Sequence, residues 1–266
     1  MTGGLDIATA RALLEWHLEL GADEPILDAP VDRFALAAEA GAARPRERRP
    51  APAPNPAPVP TAAPVDPVLA ARAAAAAAPD LEALRAAMAA YPHCELKRGA
   101  RSTVFADGQA GARVMVIGEA PGRDEDLQGL PFVGRAGRLL DRMLGAIGLS
   151  RTAPDPDRAV YITNILPWRP PENRRPTAQE CAMLLPFVER HVELAAPGIL
   201  VLMGNTPVQA LLGETGILRL RGQWREVLGL PTLLMTHPAY LLRTPAAKRA
   251  AWGDLLELSH RLEAGR

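Results

Sequence analysis

The chain has 266 residues, long enough for one sizeable hydrophobic core with an additional segment. Its formal net charge is zero, which excludes a protein whose whole surface attracts polyanions but not one with a local basic face. It has only two cysteines, Cys94 and Cys181, and no apolar run near the roughly 18 residues of a membrane span, so we predict a cytoplasmic protein without a disulfide framework or membrane anchor.

The first third of the chain differs in composition from the rest. Residues 5–20 carry apolar side chains at helical spacing, which predicts a helical appendage within residues 1–41 that docks a protein partner. Nine prolines alternate with alanines between residues 45 and 67, and this composition cannot bury enough apolar surface to offset the cost of ordering. We therefore predict a disordered linker over residues 42–78 and a main domain over residues 79–266, with an alanine-rich helix over residues 68–90 that leads into this domain.

Apolar runs alternate with helical stretches through the main domain. The predicted strands lie at residues 114–117, 159–163, 199–203 and 232–235. The predicted helices between and after them lie at residues 136–147, 177–194, 205–212 and 246–262. This alternation predicts an α/β fold of three layers, α/β/α, with a central, mainly parallel four-stranded sheet.

Each predicted strand ends in glycine or polar residues. These are Gly118 and Glu119, then Asn164, then Gly204, and finally His237 before Pro238. The carboxyl ends of parallel strands meet at one edge of a sheet, which is where open α/β folds place their ligands. The sequence therefore predicts a single cleft lined by Glu119, Asn164 and His237.

Three side chains near these strand ends could contact a flat polar ligand, such as the edge of a nucleobase or of a flavin. The Asn164 amide can donate and accept hydrogen bonds, although a cap or turn role is the commoner one at a strand end. His237 can donate to a developing oxyanion or act as an acid or base, or be structural. Phe132 follows Pro131 in a turn and is either a stacking platform for a base or a core residue.

An acidic run follows the loop after the first strand, and a later segment of the chain is basic. The loop Gly118–Gly122 lacks the glycine spacing of a phosphate loop, and the acidic run 124–126 that follows is either a solvated helix entry or a group that orients water. Residues 168–176 carry Arg169, Arg174 and Arg175, which form either a rim that contacts phosphates or a solvated surface.

Taken together, these segments resemble the uracil-DNA glycosylase superfamily, and most closely its family 4, the iron–sulfur type. The matching motifs are GEAPGRDED…GLPFVGRAGRLLDRML at 118–144, YITNILPWRPPENRRPTAQE at 161–180 and THPAYLLR at 236–243. The motifs keep the family's order and spacing over about residues 88–260. Residues before this range lie outside the resemblance.

The resemblance implies roles for residues at the matching positions. The catalytic set that it implies is His237 and Asn164, with Glu125 as a position that we suggest places the attacking water or stabilises the cationic sugar. The implied substrate-binding residues are Gly118, Glu119, Ala120, Gly122, Phe132, Asn164 and Asn173. Independently of the resemblance, the basic rim supplies the DNA-binding candidates, which are Arg169, Arg174, Arg175 and Arg243.

The chain departs from the family at the cysteines that hold a [4Fe–4S] cluster. Cys94 matches one of the four cluster positions, but Tyr91, Trp168 and Leu184 occupy the other three, and Cys181 lies three positions before the last. Because such a cluster needs four thiolates, the sequence predicts no metal and no cofactor.

The resulting prediction is a monofunctional glycosylase for base excision repair. It flips uracil out of single- or double-stranded DNA and hydrolyses the N-glycosidic bond, leaving an abasic site. Two alternatives remain open: a glycosylase for another deaminated base such as hypoxanthine, and a non-catalytic DNA-binding repair module. We expect a monomer that associates with the nucleoid through DNA.

Overall fold

The computed structural model describes residues 6–19 and 66–264, which fall in two separate units of the chain, residues 1–61 and 62–266. In the first unit, helix α1 spans Ile7–Glu19, and Asp6 accepts a hydrogen bond from the backbone N–H of Thr9 at 2.9 Å. The predicted helix over residues 5–20 is thus present. The rest of the predicted appendage and the proline-rich part of the predicted linker lie outside the described residues.

The second unit alternates strands and helices. Strands β1 to β6 occupy Asp107–Gly108, Val114–Gly118, Val160–Asn164, Ile199–Met203, Trp224–Val227 and Leu230–Met235. Helices α2 to α11 occupy Pro67–Ala76, Leu81–Ala90, Leu96–Gly99, Arg123–Gln128, Arg135–Gly145, Ala178–Ala195, Asn205–Leu212, Ile217–Leu220, Pro238–Arg243 and Lys248–Ala264. Short 3-10 turns occupy Pro171–Asn173 and Pro245–Ala247.

The sheet has six strands in the order β1-β3-β2-β4-β6-β5. The four central strands are parallel and correspond to the four predicted ones, so the predicted α/β class is confirmed. The predicted strand number is too small, because β1 and β5 add an antiparallel strand at each edge. Both edge strands are short and only partly buried, so neither has the continuous apolar run that identifies a central strand.

Successive residues of the central strands enter two different cores, which makes the sheet the middle of three layers. In β2, Met115 and Ile117 belong to the core that contains residues of α2, α3 and α7, among them Leu84 and Phe187. Val114 and Val116 belong to the other core, with residues of α6 and α11. A strand buried on both faces needs apolar side chains at every position, which explains its uninterrupted run.

Residues 67–76, the last part of the predicted linker, form helix α2, which falls within the helix expected over residues 68–90 except for its first residue and packs in the core of the main domain. Asp66 caps this helix by accepting from the N–H of Val68 at 2.8 Å, and Ala71 and Ala75 are buried in the core with residues of α7. Alanine favours a helix and permits close packing, whereas only the proline-rich part has the composition of a spacer. Within residues 6–19 and 66–264, every helix is too short or too polar to cross a membrane.

Candidate active site

The carboxyl ends of the central strands meet at one edge of the sheet, as the sequence predicts. Gly118 and Asn164 are paired in register at the ends of β2 and β3. At the other end of this edge, the N–H of Gly204 donates to the carbonyl of Met235 at 2.9 Å, which holds the end of β4 beside the end of β6. His237 follows β6 by two residues, so this edge carries the asparagine and the histidine together.

Gly118 allows the candidate side chains to approach each other closely. A Cβ atom at this position would overlap the Asn164 Oδ1 atom and lie 2.5 Å from the Phe132 ring. Any larger residue would displace one of the two side chains. The glycine is therefore required by packing at the end of a buried strand, not only by a turn.

Two polar atoms in this region are buried without a hydrogen-bond partner among the described residues. They are Oδ1 of Asn164, in a residue that is 6% exposed, and Oγ1 of Thr236, in a residue that is 2% exposed. Leaving a buried polar group unpaired costs about 1–3 kcal/mol. An orphaned amide oxygen at a strand end is the arrangement expected where a ligand completes the hydrogen bonding.

His237 has its tautomer fixed by the helix that it starts. Pro238 is the first residue of helix α10, and the N–H of Ala239 donates to Nδ1 of His237 at 3.1 Å. The neutral ring therefore carries its proton on Nε2. Burial, and secondarily the charge of Arg243, lower the pKa of His237 to about 4. The ring is thus a neutral hydrogen-bond donor at physiological pH.

Phe132 lies beside these polar groups in an unusual backbone conformation. Its φ angle is +54°, in the left-handed region that side chains other than glycine rarely adopt. Its ring stacks on the ring of His237, with the centroids 5.4 Å apart and the planes 26° from parallel. The residue is 5% exposed, so its ring forms one wall of the region that contains Asn164 and His237.

The first loop is held by contacts with two neighbouring segments. The Thr206 hydroxyl in helix α8 donates to Oε2 of Glu119 at 2.6 Å. The carbonyl oxygens of Gly118 and Glu119 accept from the N–H groups of Ile165 and Leu166 at 2.9 and 3.1 Å. Ala120 and Gly122, the other predicted substrate contacts in this loop, are partly exposed. The loop is thus fixed against the end of β3.

Glu125 connects the first loop to the loop that carries Phe132. Its Oε2 accepts from the N–H of Gly122 at 3.1 Å, and its Oε1 accepts from Val133 and Gly134 at 3.1 and 2.8 Å. All of these bonds are to backbone amides of the chain. The geometry is that of a brace between two loops, a role that sequence reasoning did not anticipate for this residue.

The basic segment lies at the surface, and its arginines differ in their partners. Arg169 donates through Nε to Oδ1 of Asn173 at 2.8 Å, so the predicted substrate contact Asn173 is exposed and engaged with that arginine. Arg174 forms an ion pair with Glu180 at 2.6 Å. Arg175 is exposed and has no ion pair within the described chain, and the same is true of Arg243 in helix α10.

Sequence reasoning missed three further residues near the site. Thr236 was visible as part of the Thr-His-Pro motif, but its orphaned hydroxyl is a property of the packed strand end. Thr206 contacts Glu119 across 87 residues of sequence, and no local pattern reports such a pair. The third is Arg151, which donates to the carbonyl of Phe132 at 2.9 Å from a distance of 19 residues in sequence.

The positions that the resemblance assigns to cluster cysteines have other hydrogen-bond partners. The Tyr91 hydroxyl donates to the carbonyl of Pro67 at 2.6 Å, and the Trp168 indole N–H donates to Thr103 at 3.1 Å. Cys94 is buried beside them in the same core, and burial raises the pKa of its thiol. Among the described residues, no three His, Cys, Asp or Glu side chains are grouped as a metal-binding set.

A cavity of about 840 Å³ lies elsewhere, lined by residues of helices α2 and α7 and by Leu228 and Leu230. It contains none of the predicted site residues. The orphaned polar atoms therefore identify the candidate site, and the size of a depression in the surface does not.

Comparison with known proteins gives relatives that align with this chain over most of the relative's length. The chain is 36% identical over 174 residues to the Type-4 uracil-DNA glycosylase of Archaeoglobus fulgidus, covering 62% of this chain and 84% of the relative. It is 36% identical over 153 residues to that of Thermotoga maritima, covering 56% and 77%. It is 33% identical over 184 residues to that of Saccharolobus solfataricus, covering 64% and 81%.

These relatives contradict the prediction that the chain has no cofactor. They are Type-4 enzymes, the class that carries a [4Fe–4S] cluster, so the family implies this cluster here. The prediction rested on counting cysteines. That count concerns the ligands that this chain could offer to a cluster, and it takes no account of the class of its relatives. Tyr91, Trp168 and Leu184 supply no thiolate, so the residues at the matching positions do not fit a four-cysteine site.

The match to the family extends over most of the second unit. The family model for the uracil DNA glycosylase superfamily matches residues 105–256, more than half of the chain. This range contains all six strands, the two loops braced by Glu125, and the edge where Asn164 and His237 meet. The chain therefore belongs to the uracil-DNA glycosylase superfamily, together with its Type-4 members.

Proposed function

We propose that this protein excises uracil from DNA in base excision repair by hydrolysing the N-glycosidic bond and leaving an abasic site. The observation that carries the proposal is the meeting of three groups at one edge of the sheet: the Phe132 ring, the unpartnered amide oxygen of Asn164 and the neutral His237 ring. A flat base that has been flipped out of DNA requires a stacking surface and hydrogen-bond partners for its edge. The Type-4 relatives, named as uracil-DNA glycosylases, support the same activity.

The side chains of the cleft match the face of uracil. The Asn164 Oδ1 atom is an acceptor without a partner among residues 6–19 and 66–264 and would receive the N3–H of uracil, while its amide NH₂ can donate to a carbonyl of the base. Cytosine has no N3–H and presents an amino group where uracil has a carbonyl. A buried site that needs both hydrogen bonds rejects such a base, because its own polar groups would be left unpaired.

His237 acts where negative charge develops. When the C1′–N1 bond breaks, its electron pair leaves with the base, and the uracil anion carries much of this charge on O2. The Nε2–H of His237 donates a hydrogen bond to that oxygen. The ring is neutral before the bond breaks and acts as a neutral donor. A preorganised donor of this kind contributes on the order of 10²–10³ in rate.

The sugar completes the reaction with water. Loss of the base leaves an oxocarbenium-like C1′, a water oxygen bonds to this carbon, and the water proton passes to solvent. We propose that Glu125 positions the two loops around the sugar, and that its negative charge also favours the cation. Glu125→Gln tests this proposal against a general-base role: loop positioning with charge stabilisation predicts lower thermal stability and a kcat within about tenfold, whereas a base that activates the water predicts a loss of about 10²–10⁴.

DNA contacts are proposed for the arginines around this edge. Arg175 and Arg243 are exposed without an ion pair in the described chain, which leaves their guanidinium groups available to phosphates. Arg169 donates through Nε only, to Asn173, and retains its other N–H groups. Arg174 would have to exchange Glu180 for a phosphate, so we propose a smaller contribution from it.

Residues outside the family match receive a separate proposal. We propose that residues 1–41 form an appendage that docks a protein partner, tethered to a glycosylase domain that acts as a monomer at the nucleoid. Ile7 and Leu14 are 89% and 67% exposed on helix α1, which supports docking of an apolar helix face. The family model begins only at residue 105, which supports a division between the two parts.

The test is release of uracil from a labelled oligonucleotide with one uracil, followed by alkaline strand scission. Single strands and duplexes with guanine or adenine opposite the uracil should be compared, with Asn164→Ala and His237→Ala as variants. Cleavage by the wild type that is lost in both variants is the expected result. Cleavage only at hypoxanthine, or binding without cleavage, would contradict the proposal and favour another base or a binding module.

A further inference from the structure

Arg151 lies directly behind the Phe132 loop and contacts it through two backbone carbonyls. Its Nη1 donates to the carbonyl of Pro131 and its Nη2 to the carbonyl of Phe132, both at 2.9 Å. The guanidinium also forms ion pairs with Asp107 and Asp141, both at 2.8 Å. One side chain thus ties the loop to the edge strand β1 and to helix α6.

The backbone at Phe132 needs such support. Its φ of +54° costs a side-chain-bearing residue on the order of 1 kcal/mol or more, and such a conformation persists only where the surroundings impose it. A Cβ at Gly137 would overlap the Phe132 carbonyl, so helix α6 packs directly against the peptide. Arg151 satisfies the carbonyl on which the helix presses, and the two contacts together fix the direction of the Phe132 ring.

Arg151 is not available for DNA. Its side chain is only 11% exposed, and its N–H groups are taken by two carboxylates and two carbonyls. A guanidinium that is planar and bound on several sides holds its partners in one geometry, which an ammonium cannot do. The arginine therefore acts on the loop and not on a phosphate.

We propose that Arg151 is a positioning residue for uracil excision, which acts only by holding the Phe132 ring against His237 and the end of β2. The inference rests on the proposed function for its kinetic part, but the placement of the ring can be tested without it. Phe132 is the residue that touches the base, and Arg151 acts through Phe132. Removal of the Arg151 side chain should release the strained loop and move the Phe132 ring.

The kinetic test is a double-mutant cycle between Arg151 and Phe132. Arg151→Ala should lower kcat/KM for a uracil oligonucleotide on the order of 10²-fold, because misplacement by about 1 Å can cost that much. In a Phe132→Ala background the same change should cost less than about threefold, since the group being positioned is gone. Arg151→Lys should recover only part of the loss.

Arg190→Ala is the matched control. Arg190 also binds a backbone carbonyl, that of Ala78 at 2.8 Å, and a carboxylate, that of Glu193 at 2.7 Å, but it lies on helix α7 away from the Phe132 loop. It should lower thermal stability and leave kcat/KM unchanged. An equal loss in Arg190→Ala, or equal effects of Arg151→Ala with and without Phe132, would overturn the proposal.

A second measurement does not depend on activity. Because Phe132 stacks on His237, its ring current shifts the ring-proton NMR resonances of that histidine. In Arg151→Lys, and in Arg151→Ala where it folds, these resonances should move towards the position that they have in Phe132→Ala. Unchanged His237 resonances would refute the positioning role. If the wild type released no uracil but the His237 resonances moved in the Arg151 variants, the proposed function would be contradicted and the positioning of Phe132 by Arg151 would be supported.

Discussion

His191 and His237 are both neutral imidazoles at physiological pH, but His191 is fully buried whereas His237 is partly exposed. Burial lowers the pKa of His191 to about 3, and its Nε2 lies 2.9 Å from the Tyr161 hydroxyl while its ring stacks on Phe105 at 4.3 Å. His237, with a pKa of about 4, uses Nδ1 to accept from Ala239. Within the described chain, its Nε2 has no hydrogen-bond partner.

The same contrast extends to the neighbours of each histidine. Around His191 the polar atoms are paired: Tyr161 bonds to the ring, and the Thr163 hydroxyl donates to the Phe105 carbonyl at 2.6 Å. Around His237, Asn164 and Thr236 each hold a buried oxygen without a partner in the described chain. A core can hold polar groups when they satisfy one another, whereas a site retains groups whose partner arrives with the ligand.

The largest expected effect is the difference in activity between two variants of strand β3, one beside His237 and one beside His191. Asn164→Ala should lower kcat/KM for uracil on the order of 10³-fold, since it removes the hydrogen bonds that select the base. Tyr161→Phe should lower the free energy of unfolding by about 1 kcal/mol and leave excision nearly unchanged. Single-turnover uracil release and urea denaturation measure the two quantities. Comparable loss of excision in both variants would remove the distinction between core and site.

The next effect separates binding from chemistry at His237. His237→Ala should reduce kcat on the order of 10²-fold with little change in KM, because the donor is used mainly where charge develops on the leaving base. His237→Gln, which keeps an N–H donor, should recover part of the rate. Steady-state kinetics with a uracil oligonucleotide check both. A rise in KM at constant kcat would instead assign the histidine to ground-state binding.

The two histidines should also make the fold sensitive to acid. In the unfolded chain histidine takes up a proton near pH 6.5, whereas in the folded chain burial lowers the pKa of His237 to about 4 and that of His191 to about 3. The unfolded state therefore binds more protons between these values, so stability is complete above about pH 6.5 and declines as the pH falls towards 4 and then 3. Burial raises the pKa of Asp254, which acts in the opposite direction.

The check on this acid sensitivity is a comparison of variants. Urea midpoints at pH 7, 5 and 4 should fall less steeply for His191→Phe than for wild type. His260→Gln, at an exposed position of helix α11, serves as the control and should keep the wild-type slope. If the urea midpoint of His191→Phe fell with pH as steeply as that of the wild type, the contribution of His191 to the acid sensitivity would be contradicted.

The smallest effect concerns the arginines at the rim. Arg243→Ala should weaken DNA binding at low salt and reduce the slope of log Kd against log salt by about 1. Arg174→Ala should change both less, because Arg174 is already paired with Glu180. Fluorescence anisotropy with a labelled oligonucleotide over a salt series measures this. Equal slopes for the two variants would mean that the ion pair opens without cost on binding.

The sequence was sufficient for those parts of the fold that depend on local pattern. The four central strands follow from continuous apolar runs, and the site edge follows from the polar residues Asn164 and His237 at their ends. The edge strand β5 was missed because Trp224–Val227 is only partly buried and mixes charged with apolar residues. A helix was expected over residues 68–90, but the domain division grouped its alanine-rich first part, which forms most of α2, with the proline-rich linker.

The parts that escaped prediction depend on contacts between distant residues. The positive φ of Phe132 is imposed by Gly137 and Arg151, and nothing in the local turn sequence encodes that pressure. The brace at Glu125 likewise depends on amides up to nine residues away. The cofactor prediction was wrong for a different reason, since cysteine counting ignored the class to which the chain belongs.

The most direct measurement is a titration of the protein with free uracil, observed by NMR at the Asn164 side-chain amide and the ring protons of the histidines. The account predicts that uracil shifts the Asn164 and His237 signals, that cytosine does not, and that the His191 signals stay unchanged. Shifts at His191, equal responses to uracil and cytosine, or no response of Asn164 up to the solubility limit of uracil would contradict the claim that the unpaired atoms of this cleft await the uracil edge.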